Sequence, residues 1–440
     1  MQPYHEQFAP TLEKLQIEAL NEMQLATIEA SRQDNDIVLL SPTGTGKTLA
    51  FLLPLFAGLR EGSNDVQAVI LSPTRELAMQ IETVFKDMKT PHKVTCCYGG
   101  HPMRVEKKSL AEPPALLIAT PGRLKDHLKR EHIDISKTEL LVLDEFDKSL
   151  EFGFQDDMDF IIKKMPFLKK RILTSATEAI KIPNFVGLNK PERLQFMPKK
   201  SDIKKLDVKI VHSPEKDKLN TLVQLICNLE PAAMIVFCNH RDAVERVSDF
   251  LSEQDIDHDY FHGGLEQNER EKSLVKFRNG TYRILVSTDL AARGLDIPDI
   301  KYIVHYHLPT TGDAYTHRNG RTARMDAKGS AYLLLHEEEN IPEYVEGDPK
   351  VFYLKEQPAP PEPEWDTLFI GKGKKDKINK VDIVGFLFKQ GGLKKDEVGL
   401  IEVKDFFSYV AIKRTKIKEV LKKINNEKIK GKKAKIEVAR

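Results

Sequence analysis

The chain has 440 residues, 40% hydrophobic and 30% charged, a composition that suits a folded protein of two to four domains. It holds no apolar run of membrane-spanning length, no basic-then-apolar signal pattern in its opening MQPYHEQFAP, and four cysteines (Cys96, Cys97, Cys227, Cys238) without CxxC spacing, so neither a zinc site nor a disulfide framework is expected and reduced cytoplasmic thiols are. Net charge is only +2, yet residues 371–440 carry 21 Lys and Arg against 9 Asp and Glu, an acidic body with a basic tail that points to a polyanionic partner.

In chain order, short apolar runs at 36–40, 68–71, 115–118, 140–143 and 171–173 read as buried strands. Longer amphipathic segments separate them, the alternation of a parallel sheet covered on both faces. The rhythm restarts after the basic stretch 198–205, with strands at 233–237, 257–261, 283–287, 301–306 and 330–335. The expectation is an α/β protein with one parallel-sheet domain over 1–200 and a second over 206–355. Residues 356–365 contain QPAPPEPE, a semi-stiff linker. Strands at 366–370, 400–403, 409–412 and 434–438, with helices at 381–390 and 415–424, then predict a small α+β domain over 366–440.

The first run enters SPTGTGKT at 41–48, followed by an apolar helix. Strand, Gly-rich loop and helix together are the context of a phosphate-binding loop. Backbone N–H groups of Ser41, Thr43, Gly44, Thr45 and Gly46 suit phosphate oxygens. Lys47 brings charge to the terminal phosphates and Thr48 a hydroxyl for Mg²⁺. Ser41 stands where the general pattern has glycine. The run 140–143 leads into DEFD at 144–147. A carboxylate at a strand's C-terminal end faces the crevice where α/β sheets bind ligands; Asp144 suits the metal and Glu145 the attacking water.

From 24 to 324 the chain resembles the DEAD-box RNA helicases. The motifs run in order: SPTGTGKT, PTREL (73–77), GG (99–100), TPGR (120–123), DEFD, SAT (175–177), IVFCNHR (235–241), HGG…QNER (262–270), STDLAARGLD (287–296) and HRNGRTAR (317–324). The resemblance implies two tandem RecA-like domains sharing one ATP and Mg²⁺, and an RNA-dependent ATPase. It implies that Lys47, Asp144 and Glu145 work with arginine fingers Arg321 and Arg324, that Gln24 reads adenine, and that Asp296 is a ribose or interdomain contact. Phe8 is the candidate distant aromatic of the adenine site. Asp147, Ser175 and Thr177 would couple hydrolysis to domain closure. RNA contacts would come from Pro73, Thr74, Arg75, Gly99, Gly100, Thr120, Arg123, Gln267, Arg270 and Thr288. Phe146 stands where the family has alanine, which predicts altered packing behind the site with hydrolysis retained.

Residues 366–440 are similar to the RNA-binding domain of bacterial helicases of the DbpA type, through LFIGKGKKDK (368–377), DIVG (382–385), VGLIEV (398–403), FSYV (407–410) and IKGKK (429–433). This implies an RRM-like sheet with two helices, a structured ribosomal RNA partner and a role in large-subunit assembly. Lys372, Lys374, Lys375, Lys377, Lys413 and Arg414 are the expected contacts. Phe407 and Tyr409 fit base stacking or core, with core favoured; Phe406 and Phe386 read as core. A monomer is the simplest expectation. The competing readings are a non-catalytic ATP-dependent RNA clamp, disfavoured by intact Asp144, Glu145, Arg321 and Arg324, and a DNA helicase of the same superfamily.

Overall fold

Strands β1 (Ile37–Leu40), β2 (Ala68–Leu71), β3 (Val94–Cys97), β4 (Leu116–Ala119), β5 (Leu140–Leu143), β6 (Lys170–Ser175) and β7 (Glu192–Gln195) form a parallel sheet in the order β3-β4-β2-β5-β6-β1-β7. The computed structural model describes residues 3–42, 44–100, 102–177, 181–197, 206–291, 300–322, 329–425 and 427–439, with side chains from residue 7. Thr43, Asp296 and Arg324 lie outside the described residues. Strands β1, β2 and β4 are buried at every position, because helices cover both faces of the sheet. Ile37 and Leu39 enter one core cluster and Val38 and Leu40 the other, as the alternation of strand side chains requires. Strands β3 and β7 close the sheet edges and alternate in burial. Their sequences, VTCC and ERLQ, carry no apolar run, which is why pattern reading passed over them.

A second parallel sheet comprises β8 (Asp207–Ser213), β9 (Met234–Phe237), β10 (Asp259–Phe261), β11 (Ile284–Ser287), β12 (Tyr302–His305), β13 (Ser330–His336) and β14 (Lys350–Val351) in the order β10-β11-β9-β12-β13-β8-β14. Strand β8 was not anticipated: DVKIVHS mixes charge and apolar residues, and only the two-residue β14 lies outside it.

The last domain has β15 (Trp365–Ile370), β16 (Val398–Val403), β17 (Ser408–Lys413), a hairpin of β18 (Lys428–Ile429) and β19 (Lys432–Lys433), and β20 (Ile436–Val438). Its four-stranded antiparallel sheet runs β16-β17-β15-β20, the RRM-like plan. Helices Lys380–Lys389 and Arg414–Ile424 bury Ile383, Leu387, Ile417 and Val420 against one face. The chain divides into two compact units, the first sheet in one and the second and third sheets together in the other. Within that unit the other face of the antiparallel sheet meets helix Gln267–Arg278. Val275 packs with Tyr409 and Ala439, flanked by half-buried Phe369 and Phe407. Asn279 Nδ2 donates to Thr367 Oγ1 at 3.1 Å, and the Thr281 and Thr367 hydroxyls bond at 2.7 Å. Arg278 pairs with Glu402 and Arg414 with Asp257, both at 2.7 Å. Tyr409 is thus core of this seam. Phe406, expected in the core, is instead 67% exposed: it sits in the turn between β16 and β17, outside the alternation that would turn it inward. Among the described residues no helix is long and apolar enough to cross a membrane.

Candidate functional site

In the first unit, β1 delivers the chain into the 41–46 loop and helix Lys47–Ala57. Gly44 and Gly46 take φ of 81° and 91°, left-handed values that glycine adopts without steric cost. A Cβ on Gly46 would also meet Gln24 Nε2 at 2.6 Å. The loop is braced from the preceding helix, Glu22–Ser31. Asn21 and Gln24 form a capping box, Asn21 Nδ2 donates to Thr45 O at 3.0 Å, and Gln24 Nε2 to Gly46 O at 3.3 Å. Ser41 Oγ and Thr45 Oγ1 bond at 2.7 Å, so Ser41 fills its variant position with a loop-internal hydrogen bond. Lys47 is buried and donates to Ser41 O at 2.7 Å; Thr48 lies beside it, half-buried. Phe8 packs in the core with Leu12 and Met23, so its ring is not available to stack on a base.

Asp144 leaves the end of β5 fully buried, and Thr174 Oγ1 on β6 donates to Asp144 Oδ1 at 2.5 Å. The same hydroxyl accepts from Glu145 N at 3.1 Å. Burial pushes the Asp144 carboxyl up, opposed by the Thr174 hydrogen bond and the charge of Lys47. Glu145 holds φ at 44°, a strained left-handed residue where the strand turns into helix Phe146–Glu151. Thr177 Oγ1 donates to Asp147 Oδ2 at 3.0 Å, and Ser175 Oγ accepts from Thr177 N at 2.9 Å. DEFD and SAT are therefore physically joined. Thr174, adjacent to SAT, escaped sequence reading because its role depends on β5 and β6 being sheet neighbours.

The other segments singled out on this unit cluster near its strand ends. Buried Pro73 precedes Thr74, which caps helix Arg75–Asp87 by accepting from Leu77 N. The Arg75 guanidinium lies against Gly99, where an added Cβ would meet it at 3.2 Å. Gly100 is exposed with φ 97°. Thr120 is the N-cap residue of helix Pro121–Lys129. Arg123 Nε meets Glu106 Oε2 at 2.5 Å, and that carboxylate also bonds His127 Nε2 at 2.7 Å and accepts from Tyr98 N at 2.8 Å. Cys97, Glu106 and His127 stand close enough to share a cation, but this carboxylate is already engaged by Arg123 and Tyr98. Glu106 lacks any motif signature in the sequence.

In the second unit, Arg318 is fully buried. Its guanidinium bonds Asp289 Oδ1 at 2.5 Å and donates to His307 O and Asn239 Oδ1, each at 2.7 Å. It ties HRNGRTAR to the IVFCNHR and STDLAARGLD segments. Arg321 follows, also buried. Arg270 donates to Gln267 Oε1 at 2.5 Å, and the Thr288 carbonyl accepts from Ser287 Oγ.

Comparison with known proteins accords with this geometry. Residues 21–184 match the DEAD/DEAH box helicase family, 217–326 the helicase conserved C-terminal domain and 367–438 the DbpA RNA-binding domain. Among relatives, the ATP-dependent RNA helicase DbpA of Bacillus subtilis (strain 168) is 31% identical across 95% of this chain and 94% of that one. The protein of the same description in Escherichia coli (strain K12) is 33% identical across 93% and 92%. The chain belongs to the DEAD-box RNA helicases. The structure of DEAD-box helicase Mss116 bound to ssRNA and UDP-BeF is similar at 28% identity and a TM-score of 0.66, covering 74% of this chain and 72% of that one. This DEAD-box protein is an ATP-dependent RNA helicase with a DbpA-type RNA-binding domain.

Its helicase-specific departure, Phe146, is fully buried in the core cluster with Val38, Leu40, Leu143 and Leu173, so the ring fills space behind the site. On the RNA-binding domain, Lys374, Lys375 and Lys377 are exposed, and Lys372 pairs with Asp376 at 3.0 Å. Lys413 lies over the Trp365 ring. Arg414, grouped with these lysines on the sequence, is held instead at the seam by Asp257 and the Thr281 carbonyl, where it is a docking residue.

Proposed function

We propose that this helicase opens short structured segments of ribosomal RNA during large-subunit assembly, hydrolysing one ATP per cycle. The observation that carries the hydrolytic part is a buried lysine at the start of the helix after β1, Lys47, whose charge acts on Asp144, the first of two buried carboxylates, Asp144 and Glu145, that follow β5. Lys47 binds the terminal phosphates; Ser41, Thr43, Gly44, Thr45 and Gly46 cradle the rest. The Thr48 hydroxyl and Asp144 carboxylate are hard oxygen donors of the kind magnesium takes, and they would hold it. That ion would neutralise charge on the phosphate oxygens. Glu145 orients a water in line with the γ-phosphorus and receives its proton as the bond to ADP breaks. Arg321 and Arg324 are the guanidinium groups proposed to stabilise charge on the transferred phosphoryl group. Gln24 and Asp296 are assigned to adenine and ribose. The link from Asp147 to Thr177 supports its reading as the coupling contact.

RNA is assigned to the segments at Pro73–Arg75, Gly99, Gly100, Thr120, Arg123, Gln267, Arg270 and Thr288, and to the exposed lysines of the last domain. The ribosomal assignment rests on the DbpA-type domain and its basic surface. Lys47→Ala and Glu145→Gln are expected to lower RNA-stimulated phosphate release by about 100-fold or more; undiminished turnover would refute the site. Large-subunit ribosomal RNA should stimulate turnover more than an equal mass of other structured RNA, and equal stimulation would remove the ribosomal assignment.

A further inference from the structure

The turn between β16 and β17 carries an aromatic ring that the fold does not use. Phe406 is 67% exposed, against 36% for Phe388 and 6% for Phe386 in the same domain. The ring stands on a stiff support. Lys374 N donates to Lys404 O and Lys375 N to Asp405 O, each at 2.8 Å, while Lys404 N bonds Phe407 O and Ser408 Oγ bonds Lys372 O at the same distance. A Cβ on Gly373 would meet Lys404 O at 2.2 Å, so only glycine lets the 371–377 loop lie this close to the turn. The lysine-rich loop GKGKKDK is thereby fastened beside Phe406, with Lys374 and Lys375 exposed. The sheet aromatics cannot serve the same purpose, because Tyr409, Phe369 and Phe407 pack with Val275 of the neighbouring helix.

We propose that Phe406 is a stacking platform for an unpaired RNA base, with Lys374 and Lys375 neutralising the flanking phosphates. An aromatic face accepts any base, and RNA-binding domains favour unstacked nucleotides in loops and bulges. Lysines beside the ring call for a polyanion rather than an apolar protein surface. The inference rests on the lysine assignment made above and deepens it: the nucleotide at this spot is single-stranded.

The test uses the full chain, labelled oligo(U) and a blunt RNA duplex. Phe406→Ala and Phe406→Leu are expected to weaken oligo(U) binding about 5- to 100-fold, with duplex binding unchanged. Phe406→Trp should retain affinity, and its emission should be quenched by oligo(U) beyond any change at Trp365, the chain's single native tryptophan. The double variant Lys374→Ala/Lys375→Ala should weaken both RNAs. Wild-type affinity in Phe406→Ala alongside a weakened lysine variant would overturn the platform and leave the lysine assignment standing. An unchanged lysine variant would overturn that assignment instead. Full affinity in Phe406→Leu, or equal loss for oligo(U) and duplex in Phe406→Ala, would also overturn stacking, since a protein-type apolar contact or a change of loop shape would then explain the data.

Discussion

Phe146 shows how a single side chain can leave a motif's chemistry alone and change its mechanics. Its neighbours Asp144 and Asp147 keep their hydrogen bonds to Thr174 and Thr177, while the ring lies in the core. Restoring the family's alanine would therefore open a cavity. Phe146→Ala is expected to lower stability by about 3–5 kcal/mol, read as a fall in the urea midpoint, while ATP turnover per folded molecule persists. An unchanged midpoint would mean that the ring contributes no packing. Placements fixed by adjacent residues, such as Lys47 after its loop or Asp144 at its strand end, were legible from the sequence. Thr174 and Glu106 were not, because each gains its role from a partner at least 17 residues away in the chain.

Among the elements, the Glu106 carboxylate joins the end of β3, helix Met103–Leu110 and helix Pro121–Lys129. It fixes the backbone just before Gly99 and the guanidinium of Arg123 together. Removing it leaves a largely buried Arg123 without that partner, a change that weakens positioning and stability together. Glu106→Ala is expected to raise the RNA concentration for half-maximal ATPase by roughly tenfold, about 1.4 kcal/mol, leaving the KM for ATP unchanged. Glu106→Gln, which keeps an oxygen for Tyr98 N, should fall between. A change confined to kcat would show that the carboxylate does not arrange the RNA path. The elements themselves were readable in proportion to burial. Runs such as IVLL and AVIL announce central strands because both faces are covered. Edge strands β3 and β7 answer to one buried face or none, and β8 hides its apolar residues among Asp207, Lys209 and His212.

At the scale of the whole molecule, the second sheet carries an acid-sensitive point. Burial, helped by the Arg318 charge, lowers the pKa of His305 to about 3, and burial lowers that of His307 to about 4. The folded protein keeps both rings neutral, whereas the unfolded chain takes up protons below about pH 6.5. The stability tied to His305 is thus complete above that pH and is lost as pH falls toward its folded value, at about 1.4 kcal/mol per pH unit. His307 acts in the same direction, less strongly because it is partly exposed. Thermal midpoints should drop between pH 7 and pH 5, and His305→Gln should flatten that slope; an identical slope in the variant would remove His305 as its source. The Pro-rich stretch read as a linker leads into a domain that is docked, and no composition signal could have announced the seam, since its polar partners are scattered over Asp257, Arg278, Asn279, Thr281, Thr367, Glu402 and Arg414. This has a bearing on chimaeras. A graft that exchanges only 366–440 between homologues would strand Arg278 and Asp257 opposite foreign side chains, so the transplantable module is the tail together with Asp257 and the seam-facing residues of 267–281.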